Sequence, residues 1–458
     1  MKKYIINTTY SMVIMAFLVV LGSLLFQSCD SNDSMEGRQI IINRVFLEDV
    51  NSAVPDREVS FARLGQLLRI EGAGFTGLRK VYINGYAQYF NPVYVSDNSM
   101  LVAISADTPV IDADPSVRNT IKFENTAHET VFDFEIRSGA PAITSISNTL
   151  PKVGEIITVY GSGLTEVNKV IFPGNVEVTT GIVYDEDGEF FTVTMPSGVS
   201  PNGGSLLVQS ANGGVYSPAY FNCKKGVILD FDGSGTHGYW GTSISMIQNT
   251  DIESALIGTG NASQGKYVPH RPSRIASFDA AKNRCSEVWT AGNGVDDWRG
   301  QLTPFIPATT PLNQVALQFD IYVPNVWNNT GFLKICLINN FNGGEWAGAT
   351  YNYVPWIAAD GTKIPFQTTG WQTVTIPLNK LYSFSSGDFT FDDVLKFREA
   401  ATYKNFGIYF ENSDIKLTNV TGAPTETVYA SAATSVSVFT DNWRIVSLNT
   451  PTYSDFPE

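Results

Sequence analysis

The pattern of apolar and polar positions divides this chain into an apolar start and a long body of short alternating runs. Met12 to Phe26 is an apolar run broken only by Gly22 and Ser23, with Lys2 and Lys3 ahead of it and the small residue Ser28 behind. Such a run is too short to span a bilayer. With its basic flank and small residue it predicts a cleavable signal peptide over 1–28. No later segment is long and apolar enough to cross a membrane. The body then repeats itself. Leu64-Gly65-Gln66-Leu67-Leu68-Arg69-Ile70-Glu71-Gly72-Ala73-Gly74-Phe75 corresponds to Val153-Gly154-Glu155-Ile156-Ile157-Thr158-Val159-Tyr160-Gly161-Ser162-Gly163-Leu164, with a separation of 89 that also relates Lys80 to Lys169 and Gly85 to Gly174. Within each copy the alternation has period two: Ile156, Thr158 and Tyr160 share one face of a strand, and Ile157 and Val159 the other. Short strands separated by turn residues predict a β-sandwich for each copy, over 39–139 and 140–222. The Gly-x-Gly pair after each strand allows positive φ in a tight connection. It is not a dinucleotide fingerprint, because a third glycine and a following helix are missing.

From 223 to 458 the runs still predict strands: Gly226–Phe231, Val315–Val323, Gly331–Ile338, Trp371–Pro377, Asn405–Phe410 and Val436–Ser447. Asp392–Ala401 is the best short helix candidate. Two antiparallel sheets closing as a larger jelly-roll β-sandwich are expected, so the predicted fold class is all-β throughout. Composition marks the same boundary. All eight tryptophans, Trp240 to Trp443, fall in this last part, which separates a binding-type domain from a stalk.

Charge and cysteines narrow the functions. A net charge of −14 argues against a nucleic-acid partner. Of the four cysteines, Cys29 lies where cleavage is expected, leaving Cys223, Cys285 and Cys336, so one internal disulfide at most can form. No CxxC spacing predicts a zinc site. The histidines His128, His237 and His270 are scattered, and no HExxH, Gly-x-Ser-x-Gly or recognisable catalytic carboxylate pair is present. The chain is therefore read as non-enzymatic.

Phe26-Gln27-Ser28-Cys29 resembles a bacterial lipobox, which implies acylation of Cys29 and anchorage of the mature chain in a membrane by its lipid. The tether over 29–38 begins Asp30-Ser31-Asn32-Asp33-Ser34, similar to the acidic export signal of some lipoproteins that face outward from the outer membrane. Pro151-Lys152-Val153-Gly154 and Gly161-Ser162-Gly163-Leu164 resemble the IPT/TIG immunoglobulin-like family; the first copy has Ala62 where the second has Pro151. Such domains usually act as spacers. Val227-Ile228-Leu229-Asp230-Phe231, Trp371-Gln372-Thr373-Val374-Thr375 and Asp441-Asn442-Trp443-Arg444 look like carbohydrate-binding-module sandwiches. The ordered combination resembles the surface glycan-binding proteins of Sus-like glycan-uptake systems, of the type whose last domain binds hemicellulose or β-glucan. That resemblance implies a polysaccharide ligand such as xyloglucan, mixed-linkage glucan or β-mannan. It also implies a SusD-like lipoprotein and a TonB-dependent transporter as partners.

A sugar ring offers an apolar C–H face and a rim of hydroxyls, so its site needs flat aromatics beside amides or carboxylates. The richest segment is 343–356, with Glu345, Trp346, Tyr351, Asn352, Tyr353 and Trp356. Trp327 just past a strand, Trp298 beside Asp296, Asp297 and Arg299, and Trp240 in a Gly-rich loop are further candidates. Trp371 and Trp443, in regular strands, are read as core. Asp230, Asp232 and Asp441 are candidates either for a structural Ca²⁺ where first and last strands meet or for hydrogen-bonded strand ends; no other cofactor is implied. A protein-binding adhesin and, less readily, a glycoside hydrolase remain the alternative functions.

Overall fold

The computed structural model describes residues 37–49, 54, 56–238, 246–254, 265–274, 284–291, 296–338, 349–418 and 426–455. The signal segment, Cys29, and the expected glycan contacts Trp240, Glu345 and Trp346 lie outside these. Among the described residues no helix is long and apolar enough to cross a membrane. The chain forms two compact units that divide between Gly139 and Ala140.

The first unit is a sandwich of two four-stranded antiparallel sheets. One runs Arg57–Glu58, Ile41–Leu47, Leu67–Ala73, Ser99–Ala103; the other runs Tyr86–Gln88, Lys80–Ile83, Thr120–Glu124, Glu129–Asp133. Leu68, Ile70, Phe75, Val81, Ile83, Ile121 and Phe123 fill the space between them. The second unit opens with a sandwich of the same plan. Its sheets are Ala142–Ile146, Ile156–Ser162, Phe190–Thr194, Val183–Tyr184 and Val176–Val178, Lys169–Phe172, Leu207–Ser210, Gly213–Tyr216. The alternation reads through directly: Ile157 and Val159 are fully buried while Ile156 is 71% exposed.

The duplicated glycines divide their labour. Both sandwiches carry a bulge where the first strand passes this point, between Ile42 and Arg44 and between Ile143 and Ser145. A Cβ on Gly72 would lie 1.8 Å from the Ile41 carbonyl oxygen, and one on Gly161 would lie 1.9 Å from that of Ala142. The first glycine of each pair is thus required by close approach. Only the second needs positive φ, at 82° for Gly74 and 66° for Gly163.

The rest of the second unit is a jelly-roll-like pair of five-stranded sheets. In the first sheet, Val438–Ser447 pairs with Val227–Leu229, Val315–Tyr322 and Val268–His270, and Gln372–Pro377 extends it beyond Val315–Tyr322. The second sheet runs His237–Gly238, Arg284–Thr290, Gly407–Glu411, Phe332–Cys336, Thr350–Tyr353. The helix Phe391–Ala400 starts at a capping box between Thr390 and Asp393, which satisfies two otherwise orphaned N–H groups.

This sandwich and the one before it share a core. Ala316 and Val446 pack with Ile146, Ile157, Phe221 and Val208 of the preceding sandwich. Above that contact sits Arg444, fully buried. Its guanidinium donates to Asp320 Oδ1 (2.8 Å), Thr149 Oγ1 (2.9 Å), Thr373 Oγ1 (3.1 Å) and Gln318 Oε1 (3.2 Å). The ion pair is dry, but its remaining donors are used, which is the condition under which a buried charge is tolerated.

Candidate functional site

The second sheet of the C-terminal sandwich departs from the usual arrangement of one apolar and one wet face. Every residue of Phe332–Cys336 is buried. Leu333 and Ile335 enter the core between the sheets. Phe332, Lys334 and Cys336 point to the outer face, where cross-strand register assembles three rows. Lys334 stands opposite Tyr409 on one side and Asn352 on the other. Cys336 stands opposite Gly407 and Thr350, and Gly407 opposite Trp289. Phe332 faces Glu411. A bulge between Cys285 and Val288, with Ser286 at φ 53°, re-aims the backbone beside Tyr409.

On this face Trp289, Cys336 and Tyr409 form a cluster of their own. Trp289 lies directly against the backbone of Gly407, where a Cβ would stand 2.1 Å from the ring. Its indole N–H donates to Glu287 Oε2 at 3.0 Å. Lys334 Nζ and Glu411 Oε2 pair at 3.4 Å with side chains 4% and 8% exposed. Burial pulls the Lys334 ammonium down to about 8, with the Glu411 charge opposing that shift. Burial likewise raises the Glu411 carboxyl, and Lys334 and the Ser413 hydroxyl pull it back. Trp289, Cys336 and Tyr409 are themselves fully buried, so this cluster packs as a small core on the outer side of the sheet and leaves no ring face open to a ligand.

Several residues expected at the site are core instead. Trp327 is fully buried, stacks on Phe410 at 5.6 Å, and donates its indole N–H to the Thr330 carbonyl at 2.6 Å. Trp356, also fully buried, donates to the Gly331 carbonyl at 2.9 Å. Trp298 is 2% exposed, with the Arg398 guanidinium 3.9 Å from its ring centre. No ring face of these three is open for stacking. Thr350–Tyr353 is a strand, so period two turns Tyr351 and Tyr353 inward. Tyr353 packs edge-on to Phe319 and Phe366, and burial raises its phenol pKa. Asn352 alone of the three is exposed on the outer face.

Of the two readings of Asp230, Asp232 and Asp441, the structure shows hydrogen-bonded strand ends. The first and last strands do meet, Leu229 opposite Trp443. But Asp230 Oδ1 accepts the N–H groups of Asp232, Gly233 and Ser234 (2.9, 3.0 and 2.8 Å), closing a turn. Asp232 Oδ2 accepts the Lys266 N–H at 2.8 Å, and Asp441 Oδ1 that of Asn442 at 2.7 Å. These carboxylates serve backbone donors, and among the described residues no group of three or more His, Cys, Asp or Glu could hold a metal ion. Cys223, Cys285 and Cys336 are all free thiols.

Sequence reasoning passed over Trp289, Lys334, Tyr409 and Glu411. The available signal was a charge embedded in an apolar strand, Phe332-Leu333-Lys334-Ile335-Cys336 and Ile408-Tyr409-Phe410-Glu411.

Residues 221–447 match the family model of the surface glycan-binding protein B xyloglucan binding domain. An IPT/TIG domain-containing protein of Bacteroides ovatus is 23% identical over 321 residues, which is 69% of this chain and 54% of that protein. The chain thus spans about half the length of the curated relative it matches. The crystal structure of surface glycan-binding protein PbSGBP-B from Prevotella bryantii is similar over 90% of this chain and 100% of its own, with TM-score 0.59 at 18% identity. The SGBP-B from a complex xyloglucan utilization locus in Bacteroides uniformis covers 89% of this chain and 99% of its own, with TM-score 0.46 at 16% identity. The C-terminal sandwich thus matches the xyloglucan-binding domain family of surface glycan-binding protein B, and the chain shares the fold of PbSGBP-B.

Proposed function

We propose that this chain is a non-catalytic, lipid-anchored protein of the outer cell surface that captures a hemicellulose or β-glucan, with xyloglucan, mixed-linkage glucan and β-mannan as the ligand class. The observation that carries this reading is the two-sheet sandwich whose residues 221–447 match the xyloglucan-binding family model. Asn352, exposed on the outer face of its second sheet, and Trp346 and Glu345 on the chain just before the same strand supply the contacts. The lipobox at Cys29 supports attachment to the outer membrane, and the two sandwiches act as spacers. A SusD-like lipoprotein and a TonB-dependent transporter are the partners this architecture fits.

Native affinity electrophoresis of the lipid-free chain in gels containing each polysaccharide tests the reading. Retardation by one or more β-glucans is expected, reduced in Trp346→Ala and Asn352→Ala with the melting temperature unchanged. Absence of retardation by every glycan would refute it in favour of a protein-binding adhesin. Release of reducing sugar would refute the non-catalytic part.

A further inference from the structure

Beyond the sheet face, the C-terminal sandwich contains a cavity of about 220 Å³ lined by Asp296, Trp298, Arg299, Arg398, Glu399 and Lys404 among others. Asp296 Oδ2 accepts from Thr290 Oγ1 (2.5 Å), Arg398 Nη2 (2.6 Å) and the Phe406 N–H (3.3 Å). Arg398 also donates to the Leu337 carbonyl. The cavity is therefore fastened to the ends of the three strands that carry Trp289, Tyr409 and Lys334. On its other side Arg299 holds Glu399 with two parallel hydrogen bonds, 2.6 and 3.0 Å, and Asp392 with a third at 2.9 Å.

Two properties define what this space accepts. First, its charges cancel: Arg299, Arg398 and Lys404 stand against Asp296, Asp297 and Glu399. An anion would meet three carboxylates, a cation three positive groups, and an apolar molecule would strip water from the groups of the six that are still open to it, Arg299 and Glu399 among them. A neutral polyhydroxylated ligand meets donors and acceptors together, and hydrogen bonds to charged partners are the stronger kind. Second, Trp298 is 2% exposed, and its indole N–H has no acceptor among the described residues. A buried, unpaired donor costs about 1–3 kcal/mol; the nitrogen is closed to solvent, so only an oxygen seated deep in the cavity, with a shift of its lining, relieves that cost. The ring cannot stack a sugar, because Arg398 covers one face and Phe406 lies 5.7 Å away. Recognition here must be by hydroxyls. The space holds about seven waters at roughly 30 Å³ each, room for one sugar ring. A cavity of one ring's size takes a unit linked at a single point.

We propose that this cavity is a second subsite, taking one terminal neutral sugar unit, a branch or a chain end, by its hydroxyl edge. The proposal rests on the glycan-binding reading and adds to it a selection for end groups that binding along a glycan chain does not make.

Isothermal titration of the full lipid-free chain with a linear β-glucan hexasaccharide and with a branched xyloglucan oligosaccharide tests it. Glu399→Gln and Lys404→Ala perturb the cavity from its partly exposed side, and Trp298→Phe removes the unpaired N–H. Each is expected to weaken the branched ligand roughly tenfold, the size of one lost charge-assisted hydrogen bond. An unchanged linear affinity identifies the bound unit as a branch; an equal loss identifies it as a chain end. Unchanged affinity for both ligands in all three folded variants overturns the subsite while the glycan-binding reading stands. Failure of the unmodified chain to bind either ligand, or any polysaccharide in the gel panel, removes that reading and the subsite with it.

Discussion

Replacing Trp356 with alanine separates a core role from a contact role. Trp356 is fully buried and belongs to the main core of the C-terminal sandwich. Its truncation removes a large side chain that the surroundings cannot close over, which costs about 3–5 kcal/mol. The Gly331 carbonyl loses its 2.9 Å donor as well, so the upper half of that range applies, about 4–5 kcal/mol. At roughly 2 °C per kcal/mol for a large unit, the melting temperature falls by about 8–10 °C. A unit with a stability of about 10 kcal/mol is still almost wholly folded at 20 °C after that loss. Retardation in glycan gels at 20 °C is then expected to match the unmodified chain. Calorimetry and affinity electrophoresis on the same preparation give both readouts. A melting temperature within about 2 °C of the original, combined with abolished glycan binding, would refute the placement of Trp356 in the core.

Three further outcomes are expected. His270 is fully enclosed, with Nδ1 3.1 Å from the Ser286 carbonyl and Nε2 3.2 Å from Thr440 Oγ1, and burial depresses its pKa to about 4. The unfolded chain takes up that proton near pH 6.5 and the folded chain near 4, so stability is complete above pH 6.5 and falls as pH drops through this window; urea midpoints for His270→Gln should show a shallower slope there. Arg444→Met strands the buried Asp320 carboxylate and should cost about 3–5 kcal/mol; the shared core predicts one denaturant transition for the second unit and two for this variant, and one unsplit transition at the original midpoint would contradict it. Gly161→Ala forces a Cβ to 1.9 Å from the Ala142 oxygen and should destabilise by more than about 2 kcal/mol, whereas Gly154→Ala, with open space around it and φ 89°, should cost only about 1–2 kcal/mol, as chemical denaturation would register.

Much of the fold is legible in the sequence because half-buried strands alternate. The separation of 89 residues relates Leu67–Ala73 to Ile156–Ser162 and Lys80–Ile83 to Lys169–Phe172 as strands, end for end. The predicted Asp392–Ala401 helix lies within one residue of Phe391–Ala400. The site was less legible because its strands are buried on both faces. All eight residues of Val315–Tyr322 and all five of Phe332–Cys336 are buried, so no alternation says which side chains face the core. Trp327 looked like a loop contact because Pro324 and Asn325 end its strand. Yet its backbone N–H and carbonyl both pair with Phe366, at 2.7 and 3.1 Å, and that ladder turns the ring inward. Tyr351 and Tyr353 read as part of a Gly-rich aromatic loop in the sequence, but they lie in the strand Thr350–Tyr353. The charge balance around Arg398 was invisible for a different reason: Asp296 and Arg398 are 102 residues apart.

The core shared across the second unit sets an order of events during synthesis. A chain made from its N-terminus has all the strands of the sandwich 140–222 available early, yet that sandwich's core includes Val446. Its buried Thr149 hydroxyl waits for Arg444, 295 residues downstream. Until the last strand arrives, the sandwich has an apolar flank with no cover, and the same flank would be bared by a fragment cut at 222. The ten-residue strand Val438–Ser447 therefore works as a completion signal: the second sandwich and the domain that follows it reach their finished state together, once that strand has emerged.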